Sequence, residues 1–240
     1  MVIEMGRAYE VRKASIMKTG AVKAKLYSNY AKEIYSAAKK SVDVDSNPNL
    51  KRLIEKAKKD QVPSDIIKRA IDKAKSGVNE NYDNLRYEGF GPGSSTILID
   101  CLTDNINRTI SFIRTAFSKT HCKLGSLNSI SYLYEDLCVL SFKNLTEEEV
   151  LEVLINNDIN ADIEKEEDNI IVYGNQKDLF KIKSAILDYK NDIVFDIDEL
   201  TTIAKEKVVL NEEDKKVFLK LIELLEDIDD VSLIYHNVEL

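Results

Sequence analysis

Tryptophan is absent from this chain of 240 residues, and proline (3), cysteine (3) and histidine (2) are scarce. The three cysteines, Cys101, Cys122 and Cys138, have no C-x-x-C spacing. They argue against a disulfide framework or a zinc site and read as thiols in a reducing compartment. The two histidines, His121 and His236, form no H-x-x-H or H-E-x-x-H pair, and no Ser/His/Asp order stands out. The expectation is therefore no catalytic residue, no metal and no cofactor. No Ser/Gly/Pro-rich stretch marks a flexible linker. No segment reaches the roughly 18 unbroken apolar residues that a membrane span requires. Charge follows at once on Met1-Val2-Ile3-Glu4-Met5, so no signal peptide is legible. The chain reads as cytoplasmic, with no membrane partner and no small-molecule substrate, and Met5 is a candidate natural start.

What the chain does have is segregated charge. Residues 1–75 carry 18 Lys and Arg against 9 Asp and Glu, a net of +9, whereas residues 76–240 carry 16 against 33, a net of −17. The overall −8 thus hides a basic N-terminal module. Such a module suits a polyanionic partner, and the acidic remainder limits indiscriminate sticking. The length suits two or three small domains.

Hydrophobic periodicity divides the chain further. Residues 1–20 show no apolar period and read as an irregular arm. Val22, Leu26, Tyr30, Ile34 and Ala38 then form a helical stripe. A second helix is expected at Asn47-Pro48, where Asn suits the N-cap and Pro the first turn. A third begins near Pro63-Ser64-Asp65 and stops at Gly77. Beyond it, strands are expected at 96–102, 129–134, 137–142, 161–164, 170–173, 193–195, 202–210 and 231–235. Helices are expected at 105–119, at 146–157 with a capping box at Thr146, at 176–189 and after Asn211. The run from 137 to 196 parses as β-α-β-β-α-β, and its flanks each parse as β-α-β. The expected fold class is α+β: an N-terminal helical bundle plus two ferredoxin-like α/β domains, one inserted in the other. The expected boundaries are 1–77, then 78–136 together with 197–240, then 137–196 as the inserted domain.

The cluster Gly89-Phe90-Gly91-Pro92-Gly93 precedes a strand rather than opening a helix, so it reads as a tight turn and not as a nucleotide-binding loop. With Arg86, Tyr87 and Phe90 that turn presents cationic and aromatic groups suited to phosphate contact and base stacking. In Thr103-Asp104-Asn105-Ile106-Asn107-Arg108-Thr109 the first three residues can cap a helix, and Asn107 and Arg108 fall in a first turn able to hold a phosphate. The arm and first helix bring Arg7, Arg12, Lys13, Lys18, Lys23 and Lys25 together, with Tyr9, Tyr27 and Tyr30 interleaved. Cations among aromatics are the composition of a nucleic-acid contact. Lys51, Arg52, Lys56, Lys58 and Lys59 are the alternative. The acidic runs 164–168 and 226–230 read as solvated turns and helix ends.

The segments Arg86-Tyr87-Glu88-Gly89-Phe90-Gly91-Pro92-Gly93 and Cys101-Leu102-Thr103-Asp104-Asn105-Ile106-Asn107-Arg108-Thr109 resemble those of the YebC/PmpR family. The likeness extends through Met5-Gly6-Arg7, Ser46-Asn47-Pro48, Ala70-Ile71-Asp72-Lys73-Ala74-Lys75 and Ile234-Tyr235-His236-Asn237-Val238. His121-Cys122 departs from it, since relatives usually have Gly-Gly there. The resemblance implies a helical domain plus two α/β domains. It also implies a regulator of gene expression, with DNA as partner for transcription or ribosomal RNA, and hence the ribosome, for translational activation. The expected function is a non-enzymatic nucleic-acid-binding regulator.

Overall fold

The computed structural model describes residues 23–77 and 80–240. Three helices come first: α1 (Lys23–Ala38), α2 (Pro48–Lys59) and α3 (Ser64–Lys75). Tyr30, Ile34 and Ala38 of the predicted stripe are buried against Leu50, Leu53 and Ala57 of α2 and Ile67 and Ala70 of α3. Asn47 joins two helices. Its Oδ1 accepts from Leu50 N at 3.1 Å, while its Nδ2 donates to Ala37 O at 2.9 Å at the end of α1.

The first sheet contains β1 (Asp83–Phe90), β2 (Thr96–Thr103), β3 (Lys123–Leu124) and β8 (Val231–His236). Its order is β3-β1-β2-β8, and its neighbouring strands are antiparallel. Helices α4 (Ile106–Lys119) and α7 (Glu212–Glu226) cover one face, where Ile97, Ile99 and Cys101 meet Ile113, Phe117, Phe218 and Leu221. Between these elements lie β4 (Tyr134–Phe142), α5 (Glu147–Asn156), β5 (Ala161–Glu166), β6 (Asn169–Asn175), α6 (Leu179–Tyr189) and β7 (Phe195–Ala204). Their sheet runs β5-β6-β4-β7, the strand order of a split β-α-β fold with its first and third strands central. Its core packs Leu140, Phe142, Val150, Leu154, Val172, Ile182 and Ile186 together.

The chain divides into two compact units, one containing residues 133–205 and the other 23–132 with 206–240. The expected limits at 137 and 196 therefore fall inside β4 and β7. The reason is compositional. Glu135 and Asp136 begin β4, and Asp196, Asp198 and Glu199 lie within β7, so both strands continue through acidic residues that broke the apolar pattern. The expected strands at 193–195 and 202–210 overlap only the two ends of one strand, β7, and 205–210 lies beyond it. The first sheet also has a different membership from the two β-α-β halves expected. Its central pair is the β1–β2 hairpin, and the predicted strand at 129–134 is a loop and a 3-10 turn (Ser131–Leu133).

Glycine is sparse, with 8 residues, and the backbone shows the consequence. At Gly89 the absence of a side chain is sterically required: a Cβ there would stand 2.2 Å from Phe117 Cζ, so the buried ring packs on bare backbone. Gly77 and Gly93 take left-handed positions, but so do several residues with side chains. Helices α2, α4 and α5 end with Gln61 (φ 58°), His121 (φ 57°) and Asp158 (φ 50°) just past their caps. Each end closes with paired bonds; at α4, Cys122 N donates to Phe117 O (2.9 Å) and His121 N to Ser118 O (3.2 Å). This is the Schellman arrangement, in which glycine is the usual left-handed residue.

Two expectations follow for stability. His121→Gly removes a left-handed side-chain penalty at the position where the family resemblance implies glycine, and should raise stability by about 0.5–1 kcal/mol in urea melts. Lys205 N donates to Leu133 O at 2.9 Å, so the ends of the inserted unit are adjacent. Replacing 134–204 by a short Gly-Ser linker should leave a remainder with native near-UV circular dichroism; a molten remainder contradicts the insertion.

Candidate nucleic-acid interface

Arg7, Arg12, Lys13 and Lys18 lie outside the described residues. Lys23 is exposed at the start of α1. Lys25 is half-buried, and its ammonium donates to the carbonyls of Glu226 and of Ile228, the latter at 2.8 Å. It thereby caps the C-terminal end of α7, where a cation complements the helix dipole. Burial pulls its pKa below the ordinary lysine value, against the opposing pull of Asp229, Glu226 and Asp227.

The expected stacking loop is a strand. Arg86, Tyr87 and Phe90 all belong to β1, so Arg86 and Tyr87 point to opposite faces. Arg86 pairs with Asp100 directly across in β2, Nε to Oδ1 at 2.6 Å and Nη2 to Oδ2 at 2.9 Å. Tyr87 packs against the core shared with α4 and α7. Phe90, at the strand end, is 36% exposed, with a ring carbon near Gly125. Alternating polar and apolar residues across 83–90 were the available strand signal, and the glycine cluster obscured it. The turn itself is confined to 91–95, where Gly91 N donates to Ser95 O at 2.8 Å.

Asn105 is the N-cap of α4, accepting from Arg108 N at 3.1 Å. Asn107 is exposed in the first turn. Arg108 is engaged by carboxylates: Nη2 lies 2.7 Å from Asp104 and 2.8 Å from Asp230. Asp230, with a side chain only 5% exposed, also accepts from Thr109 Oγ1 at 2.9 Å and Lys32 Nζ at 3.2 Å. Burial alone would raise the Asp230 pKa, but bonds from Arg108, Thr109 and Lys32 hold it below the usual range. Among the described site residues, Lys25, Arg86 and Arg108 are committed to helix ends or carboxylates.

Buried Glu88, facing away from the Gly89–Phe117 contact, performs a similar task nearby. Its carboxylate accepts from the N–H groups of Asn128 (2.7 Å), Ile130 (2.6 Å) and Ser131 (3.1 Å) and from the Ser131 hydroxyl (2.6 Å). These bonds outweigh desolvation and lower its pKa. They also explain why 129–134 is no strand: its donors serve a carboxylate rather than a ladder.

Cation and aromatic groups do meet between α1 and α3. A groove of about 290 Å³ is lined there by Lys32, Tyr35, Arg69, Lys73, Glu80 and Tyr82 among others. Lys73 pairs with Glu80 at 2.6 Å, and Lys32 lies 5.9 Å from the Tyr82 ring centroid. Burial and the Glu80 carboxylate push the Tyr82 phenol up to about 12. Arg69 and its neighbour Lys68 are exposed, with no ion pair among the described residues. Both lie outside the clusters singled out from sequence, since their helix also carries Asp65 and Asp72. Residues 23–77 hold 14 Lys and Arg against 7 Asp and Glu, a net of +7. Residues 133–205 hold 7 against 18, a net of −11. Among the described residues no helix is long and apolar enough to cross a membrane.

Comparison with known proteins gives concordant matches. The TACO1/YebC protein N-terminal domain matches residues 7–77, and the TACO1/YebC second and third domain matches residues 82–238. A "Probable transcriptional regulatory protein" of Shewanella oneidensis is 45% identical over 238 residues, covering 98% of this chain and 99% of that one. A similarly named protein of Photobacterium profundum is 46% identical over 238 residues, with 98% and 99% covered. The crystal structure of a conserved hypothetical protein, Aq1575 from Aquifex aeolicus, superposes with a TM-score of 0.71 at 31% identity, covering 92% of each chain.

Asp230→Asn should cost about 3 kcal/mol at neutral pH, because it leaves Arg108 and Lys32 without their buried anion. Its folded-state pKa is depressed, so the carboxylate's contribution is complete above its unfolded value of about 3.9 and disappears as pH falls through the folded value. The gap between wild type and Asp230→Asn should accordingly be full at pH 6 and narrow below about pH 4. A gap independent of pH would place the loss elsewhere than in the ion cluster.

Proposed function

Because the chain belongs to the TACO1/YebC family, with its domain models matched over 7–77 and 82–238, we propose that it is a nucleic-acid-binding regulator of gene expression that acts without catalysis in the cytoplasm. The observation that carries this reading is the basic helical module of net +7 in a chain of net −8. A compact cationic surface neutralises phosphates and releases their counterions, and that release drives binding of any polyanion. The groove between α1 and α3 adds Tyr82 beside cations, a composition that suits an unpaired base next to a phosphate. The acidic unit of net −11 repels the same ligand, which confines contact to one part of the chain. Promoter DNA is the partner that the relatives' name suggests. Ribosomal RNA, with the ribosome as the larger partner, is the alternative implied by translational activation.

Lys68→Glu/Arg69→Glu should weaken binding of the full chain to labelled nucleic acid. Losing two phosphate contacts should reduce the log–log salt slope by about 1.4 units for single-stranded RNA or about 1.8 for duplex DNA. Crosslinking in cells, with sequencing of the bound DNA and RNA, identifies the target: promoter fragments support transcriptional regulation, and ribosomal RNA supports translation. Recovery of neither, with no binding in vitro, refutes the reading.

A further inference from the structure

Helix α4 differs from every other helix of the acidic two-thirds of the chain. Its sequence, INRTISFIRTAFSK, contains no carboxylate, although Asp and Glu make up 42 of the 240 residues. The inward side is accounted for: Thr109, Ile113, Ala116 and Phe117 are buried. The outward side is a row of hydrogen-bond donors. Asn107, Ser111, Arg114 and Ser118 succeed one another at intervals of four, three and four residues, which places them on one face. Thr115 and Lys119 flank them, and all six are exposed. A surface groove of about 460 Å³ runs along this face.

The two cations of the row stand apart from the chain's other paired ones. Arg86, Arg108, Lys32 and Lys183 each hold a carboxylate within 3.2 Å. Arg114 and Lys119 have no ion pair among the described residues. A donor-rich strip with two unpaired cations, on a helix that carries no carboxylate, matches an anionic ligand with many acceptor oxygens.

We propose that the outer face of α4 is a second nucleic-acid contact, with Arg114 and Lys119 neutralising phosphates and Asn107, Ser111 and Ser118 donating to phosphodiester oxygens. The inference rests on the nucleic-acid reading above and gives it a second surface. From Asn107 to Ser118 the helix rises about 16 Å. One strand of a duplex advances about 3.4 Å per phosphate, so the row spans several consecutive phosphates. The donors address the backbone and not base edges, so the contact positions the ligand without reading sequence.

The test uses the full chain, a labelled 30-nucleotide single-stranded RNA and a 30-base-pair DNA duplex, titrated by fluorescence anisotropy at a series of KCl concentrations. Arg114→Glu/Lys119→Glu should lower the salt slope by about 1.4 units on RNA or about 1.8 on DNA. The ligand that shows the change identifies the source of the phosphodiester. Arg114→Gln/Lys119→Gln should give about half the affinity loss, since it removes attraction without adding repulsion. Both substitutions are at exposed positions, and unchanged urea midpoints establish that the fold is kept. If Lys68→Glu/Arg69→Glu flattens the slope and the α4 variants do not, the α4 contact is refuted while the nucleic-acid reading survives. If the wild type binds neither probe, both fall.

Discussion

The carboxylate of Asp230 is the interaction on which the larger unit depends. It sits in the turn between α7 and β8, and it receives Lys32 from α1 and both Arg108 and Thr109 from α4. The backbone carbonyl of the same residue accepts from Leu102 N at 2.8 Å, so the anion is held at the edge of β2. Lys25 reinforces the joint by bonding the carbonyl of Glu226 at the end of α7 and that of Ile228 just beyond it. A charge this deeply buried is tolerated only with cations and hydroxyls around it. The basic helical module is thereby fastened to an acidic sheet domain through its own lysines.

That arrangement divides the basic residues into two populations. Lys25, Lys32, Arg86 and Arg108 are spent internally, on helix ends and carboxylates. Lys68, Arg69, Arg114 and Lys119 face water without an ion pair among the described residues. Net charge alone cannot separate these groups, because a lysine contributes the same +1 whether it holds Asp230 or a phosphate. The separation matters because an exposed, unpaired cation is free to exchange its counterions for a polyanion, whereas a paired one is not.

Glu88 shows the same principle within the sheet. A carboxylate in a β-strand normally faces water. Here the segment 125–131 folds over it and delivers backbone N–H groups, leading directly into the inserted unit. The cost of burying the anion is offset by several charge-assisted hydrogen bonds. The shortage of glycine has a parallel effect on the backbone, where Gln61, His121 and Asp158 hold left-handed positions that glycine would occupy without strain.

Local sequence pattern specifies the helices, their caps and the charge division. Asn47, Asn105, Thr146 and Asn211 all cap the helices their local patterns announced, because capping is a bond between residues three positions apart. The order of the inserted β-α-β-β-α-β unit was legible for a similar reason: its apolar strands alternate with amphipathic helices. Strand β1, the full lengths of β4 and β7, and the fate of 129–134 were decided by tertiary structure. Their acidic and glycine residues contradict a strand or permit one according to what lies across the sheet, and Asp100 opposite Arg86 or Phe117 over Gly89 are partners distant in sequence. For the same reason the structure alone put Arg86 and Tyr87, which looked like neighbours in a binding loop, on opposite faces of β1, and left the outer face of α4 with cations that the fold does not use.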